Sequence, residues 1–471
     1  MDAIDAALAR MPAGSVVTDA DIIAPRLRDF RGLYTGQTRA LLRPASVAET
    51  RQIVSICHEE GVPLVPQGGN TGYCASATPD AAGGELLISL ERMSAVREVD
   101  PANLSLTADA GAILANLQAA AEEADLLLPL ALGSQASCQI GGNISTNAGG
   151  IAVLRYGMAR QIVLGLEVVL PDASLLSDLS PLRKDNSGYD VKQLFIGAEG
   201  TLGLVTGVTL SLMRRPRQRV TALLAIKGTQ TLPDLLSRAQ MQSGEQISSF
   251  EYISRQSLDL LLASHSELRH PLPGDARHYV LLEAATASPA LALDDAMTAL
   301  LAEMIGEGAV LDGIIATSEA QRAALWHLRE HIPEGEVRHG GSVKHDVAVR
   351  CSQIAEFIAA ASDIVQRKAP QALLSVYGHV GDGNVHFNLV CPSGEEISPW
   401  KARITAEVSP LIHELAAMMG GTFSAEYGIG RIKLDLMHQF GNPARIELMR
   451  RIKTAIDPAG LMNPGKVVPL R

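Results

Sequence analysis

Ser375 to Asn388 reads SVYGHVGDGNVHFN, and no other stretch restricts the fold of this 471-residue chain as tightly. Strand-forming residues flank an Asp382-Gly383 pair. A two-residue type I′ hairpin loop needs positive φ at both central positions, which Asp-Gly tolerates well. A loop of those two residues pairs Val380 with Val385, His379 with His386 and Tyr377 with Asn388. Side chains repeat on one face every second residue, so His379, His386, Tyr377 and Asn388 share a face. Opposed Cβ atoms stand roughly 4.5–5.5 Å apart. That is close enough for two imidazoles to hold one divalent cation, at about 2.0–2.1 Å per Zn–N bond. Two histidines in a strand pair are equally tolerated as polar core residues. The turn chemistry therefore specifies a hairpin and leaves its task to the rest of the chain.

A chain of this length supports two or three domains with substantial cores. Its net charge of −11 argues against nucleic acid or an anionic membrane as the main partner. Five cysteines at 57, 74, 138, 351 and 391 form no CxxC pair, which reads as reduced thiols. The first residues lack the basic and apolar regions of a secretory signal, and no apolar run reaches the length of a membrane span. A cytoplasmic protein without an integral membrane segment is expected.

Taken in order, Ser46 and Glu49 have capping-box spacing, Ile53, Val54 and Cys57 make a helical stripe, and Gly61 stops it. A strand at VPLVP runs into Gln67-Gly-Gly-Asn-Thr-Gly72, with a further strand at 85–90. Such a glycine loop lets backbone N–H groups approach a phosphate, though an ordinary loop has the same look. Gly133 to Gly150 is a long tract of small residues that cannot fill a core. Cys138, Ile140 and Ile144 interrupt it too regularly for a flexible spacer, which suggests main chain lying against an extended ligand. QIVLGLEVVL (161–170) is a buried strand. Arg214 to Arg219 is a dense basic run at a change of texture and reads as an interdomain connection. Beyond it, strands alternate with Ala/Leu-rich helices, one of them over 401–419, as in a separate α+β domain. Glu426 is a carboxylate in a low-charge neighbourhood, which invites a buried partner. No G-x-G-x-x-G after a strand and no G-x-x-x-x-G-K-[ST] occurs, which disfavours a nicotinamide Rossmann enzyme and a P-loop nucleotidase.

Eight ordered segments together resemble one family: QGGNTG, IGGNISTNAGG, LRYG, LGLEVVLPD, KDNSGYDVKQLFIGAEGTLGLVT, GHVGDGNVHFN, SAEYGIG and NPGK. On them the chain resembles the vanillyl-alcohol oxidase/p-cresol methylhydroxylase flavoproteins. Within these it is most similar to the FAD-dependent D-2-hydroxyacid dehydrogenases, the D-2-hydroxyglutarate and flavin-type D-lactate enzymes. The resemblance implies an α+β fold. A two-subdomain FAD-binding domain over 1–215 is followed by a mixed α/β substrate (cap) domain with an antiparallel sheet over 216–420. A C-terminal segment, 421–471, returns to the flavin.

It further implies that Gly68, Gly69, Asn70, Thr71 and Gly72 cradle the FAD pyrophosphate, with Pro66 and Gly203 also binding the cofactor. Ser134, Gly142, Asn143, Thr146 and Gly149 line the dinucleotide, Val205 lies toward the adenine side, and Asn463 near the isoalloxazine. No histidine lies between 59 and 264, so non-covalent FAD is expected. His379, His386 and Glu426 match the family's ligands for zinc or a similar divalent metal, which leave coordination positions open for substrate.

A small D-2-hydroxy acid would be oxidised to the 2-oxo acid by hydride transfer to flavin N5, with Asn388 orienting its carboxylate. Arg329 and Lys344 match positions that hold the far end of the substrate, and two cations favour a dicarboxylate such as D-2-hydroxyglutarate or D-malate. The plainer alternative for both is a solvent-facing charge. The chain departs from the family twice. Tyr427 stands where a histidine base is usual, and Pro333 where the hydroxyglutarate enzymes have threonine, which keeps D-lactate open. Tyr427 is then either a base or a hydrogen-bonding orienter. The implied electron acceptor is an electron-transfer flavoprotein, quinone, cytochrome or 2-oxo acid, and a homodimer is compatible with this reading. Two rival readings use the same residues: a non-haem Fe(II) oxygenase on His379, His386 and Glu426, and a non-catalytic flavin- or metal-binding scaffold.

Overall fold

Ser46 accepts the N–H of Glu49 and starts the helix Val47–Glu60, which Gly61 ends in a left-handed conformation, as its capping signals require. Its apolar stripe, Ile53, Val54 and Cys57, joins the larger core of the first unit. The structure, a computed structural model, describes residues 2–469. Contacts divide the chain into two units. The first comprises 1–150, 157–215 and 426–471; the second comprises 151–156 and 216–425.

The first unit holds a four-stranded sheet in the order Val16–Val17, Leu41–Leu42, Leu86–Ile88, Leu64–Pro66. A second, five-stranded sheet runs Val96–Asp100, Ser105–Asp109, Leu204–Ser211, Val163–Val169, Leu175–Asp178, antiparallel throughout. The small-residue tract is not extended along its length, because Ile140–Ser145 is a short helix.

The second unit is built on one antiparallel sheet. Its strands are β1 (Gln218–Ile226), β2 (Ile247–Ser254), β3 (His278–Thr286), β4 (Val310–Ile315), β5 (Ser342–Val343), β6 (Asp346–Ala348), β7 (Leu373–Gly378) and β8 (Asn384–Val390). The order is β4-β1-β3-β2-β7-β8-β5, with β6 also on β8. Period-2 alternation sorts its two faces. Ala222, Leu224, Phe250, Tyr252, Val280 and Leu282 pack with the helices Leu232–Ser243, Leu293–Gly306 and Ile354–Lys368. Leu223, Ala225, Ile253, Tyr279 and Leu281 pack with Arg255–Ser264 and Glu319–Glu330. Glu251 and Glu283 have the parity of this second face. Glu283 there accepts the Trp326 Nε1–H at 2.8 Å.

Two sequence expectations fail locally. Residues 401–419 are two helices, Ile397–Glu407 and Ser409–Met418, because Pro410 cannot continue the first. The hairpin is also two residues out of the expected register. Tyr377 faces His386 and Ser375 faces Asn388. Residues 379–383 form a five-residue loop, in which Gly383 has φ +92 but Asp382 is not left-handed. The His379 carbonyl accepts the N–H groups of Asp382 and Asn384, and the Gly381 N–H is taken by Phe250 of β2. A neighbouring strand therefore overrides the local Asp-Gly preference.

Candidate active site

In the first unit, Pro66, Gln67, Gly68, Gln139, Gly142, Thr146, Glu199, Gly203 and Val205 wall a cleft. A Cβ on Gly142 would project into open space, and one on Gly68 would lie 3.8 Å from the Gly142 Cα, so the two glycines are neighbours in the wall. Gln67 Oε1, Asn143 Oδ1 and Asn463 Oδ1 are buried acceptors with no partner among the described residues. A glycine-walled groove whose lining includes Gln67 with its unsatisfied amide oxygen fits a dinucleotide, whose ribose hydroxyls donate and whose phosphates need backbone N–H groups.

Other residues read for this role do not form the cleft wall. A Cβ on Gly69 would fall 2.1 Å from the Ser137 carbonyl oxygen, so close backbone packing demands that glycine. Asn70 donates to the Arg28 carbonyl, with Thr71 and Gly72 following in the same loop. The Ser134 carbonyl is taken by the Ser137 and Cys138 N–H groups, and Gly149 is buried. Asn463 is buried and donates Nδ2 to the carbonyls of Ser76 and Glu199.

Glu199, absent from the sequence reading, is buried in this unit at φ +51. Its carboxylate accepts the N–H groups of Ile429 and Gly430, each at 2.8 Å. Burial raises its pKa to about 7 against the opposing pull of those donors. It thereby anchors the segment that carries Tyr427. The Tyr427 ring meets Tyr73 edge-on at 4.5 Å and has Lys433 Nζ 5.7 Å from its centroid. Tyr73 itself is pushed above the usual phenol range by burial, reinforced by the Glu426 charge. The signal for Glu199 was a lone carboxylate between glycines in an apolar segment, the same signal that drew attention to Glu426.

In the second unit, His379 and His386 are buried, with ring centroids 5.5 Å apart at 80°. They meet although they are not cross-strand partners. His379 leaves the ladder after Gly378 (φ +151), and His386 stands on β8 opposite Tyr377. His379 Nδ1 lies 2.7 Å from Glu251 Oε1. Burial acts to raise the Glu251 pKa, but the adjacent His379 and then Arg329 bring it below the usual carboxylate range. Asp382, on the same loop, is pushed up to about 6 by burial.

Asp346 accepts the Ala425 N–H through its carbonyl and Oδ2, and the Asn384 amide through Oδ1. Glu426 is tied to this anchored residue by one peptide bond. The ligand atoms of His379, His386 and Glu426 lie within 4.8 Å of one another. Two imidazoles and one carboxylate at that spacing are a donor set for a divalent cation with positions left over.

Arg329 and Lys344 are not solvent-facing charges. Arg329 is 6% exposed, turns Nε and Nη2 to Glu251 at 2.8 Å, and lies over the Tyr377 ring. Lys344 Nζ is 2.7 Å from the fully buried Glu336. Asn388 is buried and engaged. Its Nδ2 donates to Glu336 and to the Tyr377 hydroxyl, and its Oδ1 accepts the His345 N–H. Each of the two cations thus already has a carboxylate partner that the sequence did not reveal.

The chain matches the family "FAD linked oxidases, C-terminal domain" over residues 215–467 and "FAD binding domain" over 38–178. It is 36% identical to the D-2-hydroxyglutarate dehydrogenase, mitochondrial, of Danio rerio, over 97% of this chain and 83% of that protein. It is 35% identical to the D-2-hydroxyglutarate dehydrogenase of Stutzerimonas stutzeri, over 96% of both. Among solved structures, p-cresol methylhydroxylase with substrate bound shares the fold, with a TM-score of 0.76 at 15% identity over 99% of this chain and 96% of that one.

Proposed function

We propose that this chain, which belongs to the FAD-linked oxidases, oxidises a D-2-hydroxy acid to the 2-oxo acid with FAD and a divalent cation. D-2-hydroxyglutarate is the first candidate, because both of the dehydrogenases reported above carry that name over most of their length. The observation that carries the reading is the convergence of His379, His386 and Glu426 in a chain of this family. The alternative substrates are D-malate and D-lactate.

The glycine-walled cleft, with Gly68, Gly142, Thr146 and Val205, is the seat assigned to FAD, and Asn463 and Asn143 are assigned to the same cofactor. FAD held there would supply the hydride acceptor for the substrate Cα. His379, His386 and Glu426 are assigned to the cation, zinc or a similar metal, which as a Lewis acid lowers the pKa of the substrate's α-hydroxyl. Tyr427 is assigned to orienting that hydroxyl, since a phenol with a pKa near 10 is a weak base at neutral pH.

At the distal end, Lys344 has ammonium hydrogens beyond the one given to Glu336. Arg329 has Nη1 beyond the two nitrogens turned to Glu251. These donors are assigned to a second carboxylate, with Glu251 and Glu336 holding the cations in place. Asn388 serves indirectly, by bonding Glu336.

The test is anaerobic mixing of the purified flavoprotein with D- and L-2-hydroxyglutarate, D-malate and D-lactate. Bleaching of flavin absorbance by a D acid and not its L enantiomer is expected, slowed by EDTA and restored by adding back the cation. Flavin that no D-2-hydroxy acid reduces overturns the proposal. Full turnover in chelated enzyme overturns the cation's part in it.

A further inference from the structure

We propose that Glu251 is a positioning residue of this site, fixing the tautomer and direction of the His379 ring so that Nε2 is the atom presented to a cation. The proposal rests on the reading of His379 as a ligand. An ionised carboxylate can only accept, so the 2.7 Å contact places the imidazole hydrogen on Nδ1 and leaves the lone pair on Nε2.

His379 needs such a hold because it lies beyond the end of β7. The β2 pairing with β7 stops at Tyr252 opposite Gly378. The strand that supplies Glu251 also supplies the Phe250 carbonyl that takes the Gly381 N–H. One strand therefore holds the loop by its backbone and the ligand by its side chain. Glu251 is in turn held by Arg329, whose Nε and Nη2 both lie 2.8 Å from its Oε2, leaving Oε1 to the histidine. Loss of such an outer partner typically lowers metal affinity by about 10–100-fold.

The experiment compares wild type, Glu251→Gln and Glu251→Asp as flavin-loaded enzyme, titrated with Co²⁺ and read by its ligand-field absorbance. Far-UV circular dichroism and flavin content check folding. The expected result is a dissociation constant raised about 10–100-fold in Glu251→Gln, with flavin content unchanged. Glu251→Asp, which keeps the charge for Arg329, should fall between. Turnover of Glu251→Asp, which keeps Arg329 paired, should recover at saturating cation, which repair of a general folding defect would not produce. Wild-type affinity in the Gln variant, or a turnover loss in Glu251→Asp that excess cation does not relieve, overturns the role of Glu251. If wild type itself binds no Co²⁺, or His379→Ala binds as tightly as wild type, the reading of the site fails first. If Glu251→Gln does not fold, the Asp variant decides alone: unchanged affinity there overturns the proposal.

Discussion

Arg329→Met separates a structural charge from a substrate contact. Arg329 and Glu251 have side chains 7% and 1% exposed and meet through two nitrogens at 2.8 Å. Removing the guanidinium leaves a carboxylate deep in the second unit with His379 as its remaining hydrogen-bond partner among the described residues. Breaking one side of a buried pair costs about 3–5 kcal/mol, mostly the stranded charge. In a unit of this size each kcal/mol moves the midpoint by about 2–4 °C, so a fall of roughly 6–20 °C is expected. The assay is built into the chain. Its only tryptophans, Trp326 and Trp400, are both buried in the second unit, so intrinsic fluorescence reports that unit's unfolding. Arg329→Met/Glu251→Gln should recover much of the loss, since removing both charges leaves nothing stranded. A shift under about 3 °C in the single variant, with a raised KM, would refute the argument and make Arg329 a substrate contact alone.

Three further outcomes are expected. Glu199, with its folded pKa raised to about 7 from 4.5, contributes stability that is full below about pH 4.5 and lost as pH rises through 7. That amounts to about 3 kcal/mol. The drop in flavin-release midpoint between pH 5 and 8 should shrink in Glu199→Gln, and an identical drop would contradict the assignment. Gly430→Ala places a Cβ 1.9 Å from the Cys74 carbonyl oxygen at φ +52. It should lower flavin content and stability by at least about 1–3 kcal/mol, measured by flavin release on heating; wild-type behaviour would show that the loop yields. Tyr427→Phe should keep kcat within about tenfold, since a general base contributes about 10²–10⁴-fold; a larger fall in stopped-flow flavin reduction would make Tyr427 the base.

Much of this protein was legible locally. Ser46, Glu49 and Gly61 bound a helix because capping is decided within a few residues, and the alternation in β1 to β3 is decided by burial on both faces of a sheet. His379, His386 and Glu426 stood out as imidazoles and a carboxylate that need partners in apolar, low-charge surroundings, though the cross-strand pairing expected of the two histidines is not the one the sheet adopts. The hairpin register was not. Asp382-Gly383 alone favours a two-residue loop, and only the hold of Phe250 on Gly381 lengthens it.

The partners of the two cations were equally hidden. Arg329 and Lys344 look like free positive charge in the sequence, while Glu251 and Glu336 lie 78 and 8 residues from them along the chain. A one-dimensional pattern specifies which groups must be buried or capped. Which buried charge neutralises which depends on strand order and register, and those are settled only when the whole sheet is assembled.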